Sequence, residues 1–258
     1  MNKDKVVLIT GGSKGIGLRT ANEFSKQGYT VLINYRQNDQ FVHDLVHQMS
    51  ETHKNKVYAI KGDISEPLEC ERMVNEIWRL VKSVDILIHN AGPYVKERIS
   101  FDEYTPEQWN YIVNGNLNSV FYLTRLIIPK MREKKWGRII TFGYDRVETA
   151  PGWIYRSAFA AAKAGLASFT KTISIEESSN GITANMVCPG DIIGEWKEED
   201  IEVAKEETDF STPIGRPGTG EDLARVILFL CKDESDFITG SVIPVTGGKD
   251  VLGKVFHK

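Results

Sequence analysis

The sequence predicts an open, doubly wound α/β sheet of about seven parallel strands with helices on both faces. Three observations carry that expectation. Short apolar runs recur along the 258 residues, stretches with apolar residues at helical spacing separate them, and a glycine-rich turn follows the first run.

The runs are VVLIT from residue 6, TVLINY from 30, VYAI from 57, DILIH from 85, RIITF from 138, ITANMVC from 182 and SVIPV from 241. Most are apolar throughout instead of alternating, as parallel strands covered on both faces require. Between them Phe41, Leu45 and Met49 fall on one helical stripe, as do Met73, Val74, Ile77, Trp78 and Val81, and Leu223, Val226, Ile227 and Leu230. Two longer amphipathic helices are expected at about 105–133 and 156–179. Strand and helix in alternation, joined by right-handed crossovers, give the doubly wound sheet. Such sheets bind ligands beyond the carboxyl ends of their strands, so candidate functional residues are sought there.

At 41% hydrophobic and with no linker-like segment, residues 1–258 read as one domain. The net charge of −3, with 32 basic and 35 acidic residues interspersed, argues against nucleic acid and membrane partners and for a small-molecule substrate. The first ten residues are too briefly apolar for a signal peptide, so a cytoplasmic location is expected. Cys70, Cys188 and Cys231 are odd in number and widely spaced, which fits reduced thiols better than disulfides or zinc. His43 and His47 share a helix face, but no third ligand is evident and no metal is expected.

After the first strand stands TGGSKGIG, residues 10–17. Gly11, Gly15 and Gly17 permit a tight turn that presents backbone amides of the next helix to a pyrophosphate, where the helix dipole favours negative charge. After the second strand stands NYRQ, with Tyr35 where an NAD site has a carboxylate for the ribose and Arg36 beside it. Lys14 adds a second cation. Two cations and no acid suit a 2′-phosphate, so NADP(H) is expected over NAD(H).

Thr-Gly-x-x-x-Gly-Ile-Gly after an N-terminal strand resembles the short-chain dehydrogenase/reductase family, and further matches follow in that family's order. They are Asp63 after the third strand, HNAG at 89–92, Asn116 in NGNLNSVF, CPGDI from 188, PIGRPGTGEDLA from 213 and ITGSVIPVTGG from 238. The resemblance spans nearly the whole chain, is nearest the 3-oxoacyl-(acyl carrier protein) reductases, and implies a Rossmann-like fold. It implies cofactor contacts from Gly11, Ser13, Lys14, Gly15, Ile16 and Gly17 in the first turn, and from Tyr35, Arg36, Asp63 and Ile64 at the adenosine end. Asn90, Ala91, Gly92, Lys163, Pro189, Gly190 and Ile192 complete the implied set. A homodimer or homotetramer is implied too, packed through the long helices, the second of which is rich in small residues (Ala158, Ala160, Ala161, Ala162, Ala164 and Ala167).

In that family a tyrosine protonates the substrate carbonyl, a serine binds the same oxygen, and a lysine four residues after the tyrosine assists and holds the nicotinamide ribose. Lys163 and Asn116 match the family's lysine and active-site asparagine. Phe159 stands where the tyrosine belongs, Tyr144 where the serine belongs, and Gly194 where a threonine is common. Three readings stay open. Tyr144 or Tyr155 replaces the acid, although Tyr155 on a helix would lie roughly 12 Å along the axis from Lys163. Alternatively the chain reduces an enoyl thioester, as relatives with a tyrosine about seven residues before the lysine do; here the spacing from Tyr155 is eight. A third reading is a cofactor-binding protein with little turnover. Residues 191–212 are expected to form a lid over the substrate, lined by Trp196, Ile201, Val203 and Phe210, with Trp153 and Tyr94 as further aromatic walls.

Overall fold

The computed structural model describes residues 5–250. Seven parallel strands form one sheet: β1 (Val6–Ile9), β2 (Thr30–Tyr35), β3 (Val57–Lys61), β4 (Ile86–His89), β5 (Gly137–Phe142), β6 (Ile182–Pro189) and β7 (Val242–Val245), in the spatial order β3-β2-β1-β4-β5-β6-β7. Every apolar run expected to be a strand is one. The helices are α1 (Gly15–Lys26), α2 (Asp39–His53), α3 (Pro67–Leu80), α4 (Pro106–Val113), α5 (Ser119–Lys134), α6 (Ser157–Glu176), α7 (Ile201–Lys205) and α8 (Gly220–Leu230).

Successive strand residues point to opposite faces, and both faces of this sheet are covered. Val7, Ile9, Val31 and Ile33 pack into one core with Phe24 of α1, Val42 of α2 and Leu223 of α8. Val6, Leu8 and Leu32 face the other way, against Met73 and Ile77 of α3 and Leu123 and Ile127 of α5. Each such buried aliphatic side chain contributes about 1.5–3 kcal/mol relative to exposure, which explains why the runs are apolar end to end. Arg138, fully buried at the start of β5, donates to the Gly137, Gly181 and Lys232 carbonyls while its guanidinium lies 4.4 Å from the Trp136 ring centroid.

The long helix expected at 105–133 differs in detail. Thr105 and Gln108 cap α4 reciprocally, and a π-helical turn over Asn114–Asn118 separates it from α5. Such a turn widens the helix by one residue and is frequent at functional sites; here it carries Asn116. The strand order reverses between β1 and β4, and the crevice beyond that switch point receives Thr10, Asn90 and the glycine turn. None of the helices among the described residues is long and apolar enough to cross a membrane.

Candidate functional site

Gly11 and Gly15 both take positive φ, +61° and +60°, in the turn from β1 into α1. Gly17 has no room for a side chain, since a Cβ there would stand 2.4 Å from the Gly11 carbonyl oxygen and 2.5 Å from Asn90 Nδ2. The turn is fastened to β4: Asn90 Nδ2 donates to the Thr10 and Gly11 carbonyls at 2.9 and 3.1 Å, and the Ala91 amide donates to Thr10 Oγ1 at 3.0 Å. Gly92 lies so close to Asn116 that a Cβ would meet Oδ1 at 2.3 Å. The residues of the first turn and of HNAG therefore converge, as the sequence implied.

At the adenosine end, Tyr35 is buried and turns its ring edge-on towards His43, 6.4 Å between centroids. The residue that ends β2 is this tyrosine and not a carboxylate. Arg36 is exposed and donates to Asp63 Oδ2 at 3.2 Å. Burial alone would raise the Asp63 carboxyl, but the Ser65 hydroxyl and amide, together with Arg36, hold it below the usual carboxylate range. Ile64 is buried beside it and Lys14 is exposed at the start of α1. Pro189, Gly190 and Ile192 lie at the end of β6, on the same edge of the sheet.

The chemical end is aromatic. Lys163 is buried, and its Nζ stands 5.6 Å from the Phe159 ring centroid. Desolvation pulls its ammonium down to about 8. Phe159 is edge-on to Tyr94 at 5.1 Å and lies 6.4 Å from Tyr144 and 6.0 Å from Trp153. Tyr144 is buried, its hydroxyl donates to the Pro151 carbonyl at 3.1 Å, and burial raises its phenol. Asn116 donates through Nδ2 to the Pro93 and Ile112 carbonyls, while its buried Oδ1 has no partner among the described residues. His89 is enclosed: Nε2 lies 3.0 Å from Thr124 Oγ1, and burial, then the Lys163 charge, pushes it down to about 3.

Tyr155 lies just before the helix, which begins at Ser157, close to the expected 156; it sits in the left-handed region at φ +61°, exposed, with the Arg98 guanidinium 5.9 Å from its ring. The segment after β6 does not line an aromatic pocket. Trp196 and Ile201 pack inward near α1 and α8, whereas Val203 is 47% and Phe210 97% exposed, so neither of the latter is a pocket wall.

Two contributors carry no signal in the sequence. Arg156, just before α6, donates to the Tyr94 hydroxyl at 2.9 Å and to the Lys96, Glu97 and Tyr155 carbonyls, tying residues 94–97 over the aromatic cluster. Glu198 accepts from the Gly15 amide at 2.5 Å. Its partner lies 183 residues away in the chain.

The turn fits a dinucleotide: α1 has no side-chain cap of its own, the backbone glycines leave room for close approach, and the unpartnered Asn116 Oδ1 adds an acceptor deep in the crevice. No three His, Cys, Asp or Glu side chains converge as a metal set among the described residues. The three cysteines are buried, and burial pushes each thiol up to about 12.

Residues 11–250 match the family described as enoyl-(acyl carrier protein) reductase. A protein of Bacillus subtilis strain 168, provisionally assigned as the oxidoreductase YtkK, is 47% identical over 96% of this chain and 97% of its own length. The acetoacetyl-CoA reductase of Shinella zoogloeoides is 34% identical, with 95% of this chain and 98% of that one covered. A solved structure from Bacillus thuringiensis, provisionally described as a 3-oxoacyl-reductase, superposes with a TM-score of 0.90 at 44% identity, covering 96% of this chain and 99% of that one.

Proposed function

The chain belongs to the short-chain dehydrogenase/reductase family and is an oxidoreductase with a nicotinamide cofactor, and from that premise we propose that it uses NADPH to reduce the carbonyl of a 3-oxoacyl thioester. The cofactor, when bound, supplies the hydride. The relatives named for acetoacetyl-CoA and 3-oxoacyl substrates support the substrate class. Tyr35 and Arg36 at the end of β2 support the 2′-phosphate, since the ribose carboxylate of an NAD site is replaced by a buried phenol beside an exposed arginine paired with Asp63.

The observation that carries the catalytic reading is the enclosed ammonium of Lys163 above Phe159. With no phenol at residue 159, Lys163 holds the nicotinamide ribose and supplies the positive field towards the carbonyl oxygen. Tyr144 is the proton donor best supported by the geometry. It belongs to the ring cluster around Phe159, and burial keeps its phenol protonated and able to donate. Turning its hydroxyl from the Pro151 carbonyl to the substrate oxygen exchanges one hydrogen bond for another. Tyr155 would have to swing in from the surface.

A second reading, reduction of a conjugated C=C, is favoured by the combination of a tyrosine directly after β5 and the family description matched. There the same phenol would stabilise an enolate oxygen. Following NADPH absorbance with a 3-oxoacyl thioester and, separately, an enoyl thioester decides between them. Oxidation with the first substrate and its loss in Tyr144→Phe, with NADPH affinity kept, is the expected result. Turnover unaffected by Tyr144→Phe would remove this tyrosine from the mechanism, and oxidation with the enoyl substrate alone would reassign the reaction.

A further inference from the structure

We infer that Glu198 is a built-in competitor for the cofactor's pyrophosphate, so that dinucleotide binding and departure of the Glu198 carboxylate from the Gly15 amide are one equilibrium. The inference rests on the dinucleotide reading of the glycine turn, but not on which reaction follows.

The first amides of α1 are its anion-binding end, where unpaired N–H groups and the helix dipole favour negative charge. Lys14, at the N-cap, makes no side-chain hydrogen bond to them, and no acidic residue lies in the first turn. The chain brings an anion from elsewhere instead: the Glu198 carboxylate accepts from the Gly15 amide at 2.5 Å. Phosphate and carboxylate seek the same donor, and their charges repel. Only one can hold the Gly15 N–H.

The placement of Glu198 is not that of a loose surface side chain. Its neighbour Lys197 lies over the turn, where a Cβ added at Gly15 would touch the lysine stem at 3.7 Å. The Lys197 carbonyl runs flush against α8, and a Cβ at Gly220 would fall 1.9 Å from it. Two residues on, Asp200 pairs with the buried Arg19 of α1, and the Ile201 amide donates to Glu221 Oε2 at 2.7 Å. Arg19 also holds Glu23 and Glu221, at 2.9 and 3.1 Å. These anchors fix the segment on α1 and α8 just past Glu198. Before it, Gly194 takes φ +57° with nothing within 4 Å of its Cβ position, and the Glu198 amide donates to the Glu195 carbonyl at 2.8 Å. The backbone is thus held on both sides of Glu198, by Lys197 against α8 and by Asp200 on Arg19, and only the side chain has to move. Its carboxylate can leave the amide without unfastening Asp200.

Calorimetric titration of the full chain with NADP+, and separately NAD+, tests this in the wild type, Glu198→Gln, Glu198→Ala and Glu202→Gln. Glu202 belongs to the same segment, but its carboxylate pairs with Lys205 on the exposed side, so that variant makes the same charge change at a different place. The expected result is a three- to tenfold lower Kd for the preferred dinucleotide in both Glu198 variants, with Glu202→Gln within twofold of wild type. Inorganic pyrophosphate should compete with the dinucleotide more strongly in the Glu198 variants by a similar factor. An unchanged or higher Kd in both folded Glu198 variants overturns the inference while leaving the dinucleotide reading intact. Binding of neither dinucleotide by any variant overturns both, and binding that appears only when Glu198 is replaced supports both.

Discussion

Lys163 Nζ lies 5.6 Å from the centroid of the Phe159 ring, one helical turn away on the same face of α6. The ammonium lies over an aromatic face. The contact offsets part of the cost of burying the charge, since cation–π pairs contribute up to about 2 kcal/mol when desolvated. It gives no proton. The consequences of that one pairing can be measured.

Phe159→Tyr restores a phenol next to Lys163 without displacing the ring cluster formed with Tyr94, Tyr144 and Trp153. General acid catalysis contributes roughly 10²–10⁴ in rate, so kcat with a 3-oxoacyl thioester should rise at least about tenfold, with Kd for NADPH unchanged. A kcat equal to or below wild type would show that the proton already comes efficiently from another position.

Lys163 carries a stability cost with a defined pH window. Its folded value of about 8 lies below the ordinary 10.5. Between those values the unfolded chain binds a proton that the folded chain does not, so stability rises with pH across the window. Below pH 8 the full penalty, about 3 kcal/mol by the 1.36 kcal/mol per unit conversion, is present. Denaturant unfolding should therefore find Lys163→Met more stable than wild type at pH 7, with the gap closing towards pH 10. A gap independent of pH would show that the difference comes from packing.

His89 works on the acid side. Its folded value of about 3 lies below the ordinary 6.5, so its neutral form contributes fully above pH 6.5 and stability declines as pH falls towards 3. At pH 5 the loss is about 2 kcal/mol. Replacing it by asparagine, His89→Asn, should flatten the fall in melting temperature between pH 7 and 5. An unchanged fall would assign acid sensitivity to other groups.

Arg36→Ala separates the two nicotinamide cofactors. The side chain is exposed and engages only one carboxylate, Asp63, across 3.2 Å, which leaves donors for a 2′-phosphate. A hydrogen bond to a charged group contributes about 1.5–3 kcal/mol; the Kd for NADP+ should rise at least tenfold and that for NAD+ change less than threefold. Equal effects on both would place Arg36 outside phosphate recognition.

The sequence by itself determined the sheet and the nucleotide turn. Strands such as VVLIT and TVLINY are apolar on both faces because both faces are covered, and that pattern belongs to a few consecutive residues. Gly11, Gly15 and Gly17 are equally local, since positive φ and close backbone approach are demands on single positions. Lys163 and Asn116 could be singled out because the stretches around them resemble motifs of the family. What the tertiary structure decided is which distant groups meet. The π turn that carries Asn116 and the guanidinium of Arg156 gathering residues 94–97 both depend on packing between elements. Glu198 on the Gly15 amide is the plainest case. In the sequence it is one acid among many in a charged stretch; only the docking of that stretch on α1 and α8 puts its carboxylate on the Gly15 amide.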